Sequence, residues 1–236
     1  MKTKQKNKEP KPPKLYTLKE ITAYLRLTEE QVIKLSKENK LPALEVEGKW
    51  LFPKEMIDKW IENNLPETID ERNVPEALLK TPIKNLIPRG AVLFLPGKKP
   101  KDSVLEYLVS KSHQLGCISD PEDFLNCLKA REEMVSTATD KGVAFLHTRQ
   151  RIPKHLLMPF ILIGISKEGL DWGAPDGNLT NILFLIAMRY DILHLKILGQ
   201  LARMTNAGLV QKLLAQNDEE GVIKVLNNLE KKIPRI

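Results

Sequence analysis

The 236-residue sequence predicts an α/β protein in two parts: a small N-terminal unit of short helices around one β-hairpin, and a larger C-terminal unit. In residues 15–63, capped amphipathic segments flank a Glu47-Gly48 turn between two short β-prone runs. Beyond residue 90, apolar runs too short for helices (91–95, 142–146, 160–165 and 181–188) alternate with segments of helical period, the pattern of an α/β domain. Between the parts, residues 64–84 carry Pro66, Pro75 and Pro82 among polar residues and read as a linker, with one helical turn around residues 76–79.

In the N-terminal unit, Thr17-Leu18-Lys19-Glu20 is a capping box, and Ile21, Tyr24 and Leu25 form the apolar stripe of a first helix. Thr28-Glu29-Glu30-Gln31 caps a second, whose inward residues are Val32 and Leu35. Two short helices at this spacing suggest a helix-turn-helix. Residues 43–46 and 49–52 pair across the Gly48 turn, and Pro53 opens a third helix through Ile57 and Trp60.

The C-terminal unit starts with the strand at 91–95. A helix from Asp102 stops at Gly116, where glycine supplies a left-handed residue. Asp120 followed by Pro121 starts the next helix, which ends near Arg131. Three further strands cover 142–146, 160–165 and 181–188, and helices at 194–204, 207–215 and 219–231 complete the unit. In the last, Val222, Val225, Leu226 and Leu229 mark a packed face. His113 reads as a helix-end charge or packing residue, and His155, among cations, as solvated surface.

Composition narrows the function classes. At 42% hydrophobic and 28% charged the chain suits a folded globular protein. The longest nearly apolar run, residues 156–165, contains Pro159 and falls short of the ~20 residues of a membrane span, so no membrane insertion is expected. The start shows no secretory signal pattern, and Cys117 and Cys127 form no Cys-x-x-Cys pair, which points to reduced thiols in a cytoplasm. No two histidines stand three to five residues apart, so neither a metal site nor a cofactor is expected. Of the net charge of +7, most lies in residues 1–14, which hold six lysines against one glutamate. That tail should be disordered and either touch phosphate backbone or serve as a solubilising tail.

His147 ends the strand-like run Gly142-Val143-Ala144-Phe145-Leu146. A histidine there is either packed at a strand end or holds a phosphoryl group. A neutral imidazole, with a pKa near ~6.5, is a competent nucleophile at neutral pH toward an activated phosphoryl group. Arg131 could bind the transferring oxygens with two parallel N–H groups, and His194 could add a hydrogen bond.

Residues 85–236 resemble the type-2 enzyme IIA domains of the bacterial sugar phosphotransferase system, the fructose, mannitol and nitrogen-regulatory class. The resemblance runs through Ser119-Asp120-Pro121-Glu122-Asp123-Phe124-Leu125, Leu128-Lys129-Ala130-Arg131-Glu132-Glu133, Ser136-Thr137, Gly142-Val143-Ala144, Leu170-Asp171-Trp172-Gly173-Ala174-Pro175-Asp176-Gly177 and His194-Leu195. It implies a mixed sheet flanked by helices, phosphorylation of His147 by a small phosphocarrier, HPr or its nitrogen-branch equivalent, and Arg131 and His194 beside it. Phe145-Leu146 and Thr148 stand where the family usually has Ile-Pro and Gly.

Residues 15–63 resemble the excisionase-type winged helix-turn-helix domains through Tyr16-Thr17-Leu18-Lys19-Glu20, Ala23-Tyr24-Leu25, Leu41-Pro42, Gly48-Lys49-Trp50 and Pro53. That resemblance implies duplex DNA as partner, with Thr28, Gln31, Lys34 and Lys37 as helix contacts and Lys49 as wing contact. Glu29 and Glu30 stand where family members commonly carry neutral or basic residues, and a protein-interaction role for the same fold is the other reading. Together the resemblances imply a cytoplasmic transcriptional regulator or adaptor controlled by phosphorylation of His147. The alternatives are a phosphoryl carrier serving a sugar transporter and an unphosphorylated partner-binding domain. A homodimer is compatible with each.

Overall fold

Two sheets organise the computed structural model, which describes residues 14–25, 27–63, 80–148 and 155–233. The expected disorder of residues 1–13 and the helical turn at 76–79 lie outside the described residues.

The N-terminal sheet has three antiparallel strands in the order β1 (Leu15–Thr17), β3 (Lys49–Pro53), β2 (Leu44–Val46). β1 is an addition to the expected hairpin: it is too short to show a period, and Tyr16 reaches the core only by pairing opposite Phe52. Thr17 ends the strand and caps α1 (Leu18–Leu25), accepting from the Glu20 amide at 3.3 Å while its own amide donates to the Glu20 carboxylate at 2.7 Å. The second capping box closes the same way before α2 (Glu29–Lys37). Glu47 and Gly48 both have positive φ, 50° and 75°, the signature of a tight two-residue hairpin turn. Pro53 does not open the third helix but ends β3. The Lys54 amide still donates to the Lys14 carbonyl at 2.9 Å, so strand pairing runs one step further and α3 begins at Lys54 (Lys54–Asn63). The Trp60 indole N–H donates to the Lys40 carbonyl, which ties α3 to the end of α2.

The C-terminal sheet is mixed, with strand order β4 (Val92–Phe94), β6 (Phe160–Leu170), β7 (Thr180–Ala187), β5 (Val143–Leu146). β6 and β7 are antiparallel, while β4 runs parallel to β6 and β5 parallel to β7. β6 extends five residues beyond its expected end through a register shift between Ile165 and Leu170. Polar Lys167 and Glu168 in that irregular stretch interrupt the apolar run that marks the strand in the sequence.

Helices α4 (Lys101–Gln114) and α5 (Pro121–Met134) pack on one another, and α6 (Asp191–Asn206), α7 (Leu209–Leu214) and α8 (Glu219–Lys232) follow the sheet. Residues 80–84, expected as linker, run into a 3-10 turn at Ile83–Leu86. Ile83 is buried, and its amide donates to the Glu230 carboxylate at 3.2 Å. The centre of the core is the β6–β7 pair, in which Ile161, Leu162, Ile163, Leu183, Phe184 and Ile186 are wholly buried. Truncating one such side chain costs about 2–5 kcal/mol in a packed core, so this pair is the rigid frame from which the neighbouring loops are hung.

Candidate functional site

Parallel pairing of β5 with β7 sends the C-terminal ends of both strands to the same side of the sheet. The residue after β5 is His147, and the helix after β7 is α6, which carries His194 in its first turn. The two imidazoles therefore meet, with ring centroids 4.9 Å apart. The sequence pattern has His194 opening its helix, but the helix starts at Asp191. The His194 amide donates to the Tyr190 carbonyl at 3.0 Å, an ordinary helical bond that turns its side chain into the buried interior.

Nδ1 of His147 lies 3.0 Å from the Thr148 carbonyl oxygen. A carbonyl only accepts, so the proton sits on Nδ1 and the lone pair on Nε2, the tautomer that a nucleophilic imidazole needs. Thr148, where the family pattern has glycine, makes this contact through its backbone, and that contact needs no particular side chain.

Arg131 comes from the last turn of α5, which runs three residues past its expected end to Met134. The chain then turns back beside β5: the Phe145 amide donates to the Thr137 carbonyl (3.2 Å) and the Thr139 amide to the Val143 carbonyl (2.8 Å). This return strand-like segment carries the end of α5 to the His147 edge. The guanidinium is almost fully buried. One Nη donates to the Val135 carbonyl at 2.8 Å, while Nε and the other Nη have no hydrogen-bond partner among the described residues. Buried guanidinium nitrogens without acceptors are costly, and an incoming anion would satisfy them.

Behind Arg131 the neighbouring Glu132 braces the loop. Its buried carboxylate accepts from the Thr137 amide (3.0 Å) and hydroxyl (2.6 Å) and pairs with the Lys101 ammonium at 2.7 Å. Lys101 lies 5.1 Å from the Trp172 ring centroid, and the Trp172 carbonyl accepts from the Ser136 hydroxyl at 2.6 Å. Trp172, in the Asp171–Gly177 stretch of the family pattern, thus holds the turn at Ser136.

Two side chains at the site escape a reading of the sequence. The Tyr24 ring of α1 has its centroid 5.9 Å from that of His147, and the Arg131 guanidinium carbon stands 5.3 Å from the same ring. Lys54, at the start of α3, has its ammonium 5.8 Å from the Tyr24 centroid. In sequence Tyr24 is one of an apolar stripe and Lys54 one of many lysines, so no local signal marks either.

The candidate DNA contacts lie elsewhere. Lys34, Lys37 and Lys49 are exposed. Thr28 and Gln31 are engaged with each other in the second capping box, through a 3.2 Å bond from the Gln31 amide to the Thr28 hydroxyl and a 2.9 Å bond from the Thr28 amide to the Gln31 side-chain oxygen. Of the five, the three lysines hold their charge toward solvent. His155 is not solvated surface: its side chain is 14% exposed, and Nε2 lies 2.9 Å from the Asp123 carboxylate at the start of α5. His113 approaches the Ile118 carbonyl through Nδ1 at 3.0 Å, a packing role at the end of α4. Cys117 and Cys127 are thiols not joined in a disulfide, and burial pushes the Cys117 thiol up. Among the described residues no three or more His, Cys, Asp or Glu side chains gather as a metal site would require, and no helix is long and apolar enough to cross a membrane.

Comparison with known proteins supports the two-part reading. Residues 86–229 match the family model described as phosphoenolpyruvate-dependent sugar phosphotransferase system, EIIA 2, and residues 15–65 match a helix-turn-helix domain model. The fructose-like EIIA component of the phosphotransferase system of Escherichia coli is 33% identical over 127 residues, covering 53% of this chain and 84% of that protein. The fructose-specific EIIABC component of Bacillus subtilis is 25% identical over 152 residues, covering 63% of this chain but only 24% of that much longer protein. Among solved structures, the nitrogen regulatory protein IIA-Ntr from Neisseria meningitidis superposes with a TM-score of 0.54 at 24% identity, covering 61% of this chain and 98% of that one, and so shares the fold.

Proposed function

Because the chain belongs to the EIIA 2 family of the phosphoenolpyruvate-dependent sugar phosphotransferase system and carries a helix-turn-helix domain ahead of that unit, we propose that it is a cytoplasmic DNA-binding regulator or adaptor. Its IIA-type domain, in this reading residues 85–236, accepts a phosphoryl group on His147. The observation that carries the reading is the meeting of three buried groups suited to phosphohistidine chemistry. They are an imidazole with its proton held on Nδ1, a second imidazole 4.9 Å away, and a guanidinium with two nitrogens lacking acceptors among the described residues.

In the transfer step the Nε2 lone pair of His147 attacks phosphorus of a phosphohistidine on the donor. The new P–N bond forms as the donor's P–N bond breaks, and the donor ring, already protonated on its other nitrogen, leaves as a neutral imidazole. Nδ1–H of His147 stays on the Thr148 carbonyl and spreads the positive charge that develops on the ring. Arg131 binds the equatorial oxygens of the largely dissociative transition state, where fixed positive charge in a water-poor site acts most strongly. The donor supplies the free energy, so no general base is needed. HPr or its nitrogen-branch equivalent is the partner this chemistry asks for. Incubation with phosphoenolpyruvate, enzyme I and each carrier, read by intact mass, tests the reading.

The phosphoryl-carrier alternative draws on the relatives, whose names are those of fructose-type phosphotransferase components. It makes the helix-turn-helix domain incidental, whereas the regulator reading requires DNA binding. In that reading the full chain binds duplex DNA with a steep salt dependence. Deleting residues 1–14, which hold six lysines and one glutamate, flattens the plot of log affinity against log salt, since each phosphate contact contributes about 0.9 to the slope. An undiminished slope would mean that the folded domain, not the tail, supplies the cations.

A further inference from the structure

His147 is 1% exposed, and part of what covers it comes from the other domain. Tyr24 lies against both the nucleophile and Arg131, Tyr16 stacks behind it with centroids 5.1 Å apart, and Lys54 adds its ammonium to the same ring. Tyr24 and Lys54 are each 2% exposed, and α3 packs along α6, the helix that carries His194. The aromatic face opposite a guanidinium and an ammonium is a favourable electrostatic contact, strongest where water is excluded. A protein donor must bring its own phosphohistidine to bonding distance of His147, in line with the attacking nitrogen. It cannot do so while the imidazole is closed in. A phosphorus and its three oxygens bound to both the imidazole and the guanidinium would have to enter a region that the same ring lines.

Resting on His147 as the acceptor, we propose that the helix-turn-helix domain is an intramolecular competitor of the phosphocarrier. Docked through Tyr24 and α3, it closes the His147 site; transfer takes place in the undocked form, and the phosphorylated imidazole excludes the return of Tyr24. Docking and phosphorylation are then linked equilibria, each opposing the other by the same factor. The docked face is formed by Tyr24 of α1 and by α3, whereas Lys34, Lys37 and Lys49 remain exposed. Phosphorylation therefore alters DNA affinity through the freedom of the released domain to orient on the duplex, not by uncovering those three lysines.

The test uses the full chain as wild type, Tyr24→Ala and Tyr24→Phe. Carbethoxylation of His147 by diethyl pyrocarbonate, followed by peptide mass mapping, reports access. Tyr24→Ala is expected to raise that rate roughly tenfold, within the usual range of coupling between linked sites, and to raise phosphoryl uptake from the carrier in parallel, while Tyr24→Phe stays near wild type. Equal carbethoxylation of wild type and Tyr24→Ala would overturn the docking. Faster carbethoxylation with unchanged uptake would overturn the competition. Faster carbethoxylation with no uptake in any variant would locate the failure in the acceptor reading and remove the competitor role with it.

A second readout keeps Tyr24 intact, in case its loss unfolds the small domain. Nitroxides at Lys37→Cys and Lys224→Cys, with Cys127→Ser, report the spacing of the two domains; Cys117 is buried with a raised thiol pKa and escapes labelling. The docked chain gives one narrow distance, and phosphorylation broadens it. A broad distribution before phosphorylation would overturn the proposal.

Discussion

Incubated with phosphoenolpyruvate, enzyme I and a phosphocarrier, the wild-type chain is expected to gain the mass of one acid-labile phosphoryl group, and His147→Ala none. The loss should be complete because no other histidine is placed for the work. His113 and His155 are held by the Ile118 carbonyl and the Asp123 carboxylate at the far end of α4 and the start of α5. His194, beside His147 in the same cluster, is held within the buried first turn of α6. Acid lability follows from the bond: protonation of a phosphoramidate nitrogen makes the imidazole a good leaving group, whereas a phosphoserine would survive. Truncating one buried imidazole removes less packing than the loss of a large aliphatic residue, so His147→Ala should remain folded, which its circular dichroism checks. Uptake by His147→Ala equal to wild type would move the acceptor to another residue.

The second large effect is on Arg131. Arg131→Ala is expected to slow transfer by about 10²–10³-fold, the size seen when one preorganised donor to a developing charge is removed. Arg131→Lys should restore part of the rate, since an ammonium supplies the charge without the planar fork. The substitution also deletes the 2.8 Å bond to the Val135 carbonyl that closes the end of α5, which adds a stability loss of about 1–3 kcal/mol. Rates must therefore be compared well below the melting transition, with single-turnover kinetics separating carrier binding from transfer. A full rate in folded Arg131→Ala would take Arg131 out of the phosphoryl site and leave its burial a matter of helix capping.

Much of this geometry is legible in the sequence, for identifiable reasons. Capping boxes are local, so Thr17, Glu20, Thr28 and Gln31 can be placed from residue order alone, and their hydrogen bonds follow the expected pattern. Asp120 and Pro121 start α5 as their chemistry requires, with the Asp120 carboxylate accepting from the Asp123 amide at 3.0 Å. The apolar runs of the C-terminal sheet are likewise readable. What the sequence hides is what depends on contacts between distant residues. β1 exists because Tyr16 pairs with Phe52, and the end of β6 is masked by polar residues at an irregularity. His194 falls at the end of the first turn because Asp191, not the histidine, begins the helix.

The nearness of Arg131, His147 and His194, which stand far apart in sequence, follows from the parallel β5–β7 pairing and is legible in the chain only through resemblance to a family. Tyr24 is the clearest miss. Its position in an amphipathic stripe is fully explained by the core of its own domain, and nothing local says that the same ring also touches an imidazole 123 residues away in sequence.

The measurement that bears most directly on a phosphorylation-controlled DNA-binding protein is the affinity of the full chain for duplex DNA before and after phosphorylation, at one fixed salt concentration, with His147→Ala carried through the same treatment. A phosphoryl group adds about two negative charges, but its field fades within about 8–10 Å in physiological salt, so release of the docked domain, not long-range repulsion, must carry the effect. A coupling of about 1–3 kcal/mol predicts a change of roughly tenfold in affinity for wild type on phosphorylation and none for His147→Ala. Equal affinities of the phosphorylated and unphosphorylated wild-type chain would contradict the account and leave the phosphoryl-carrier reading in its place.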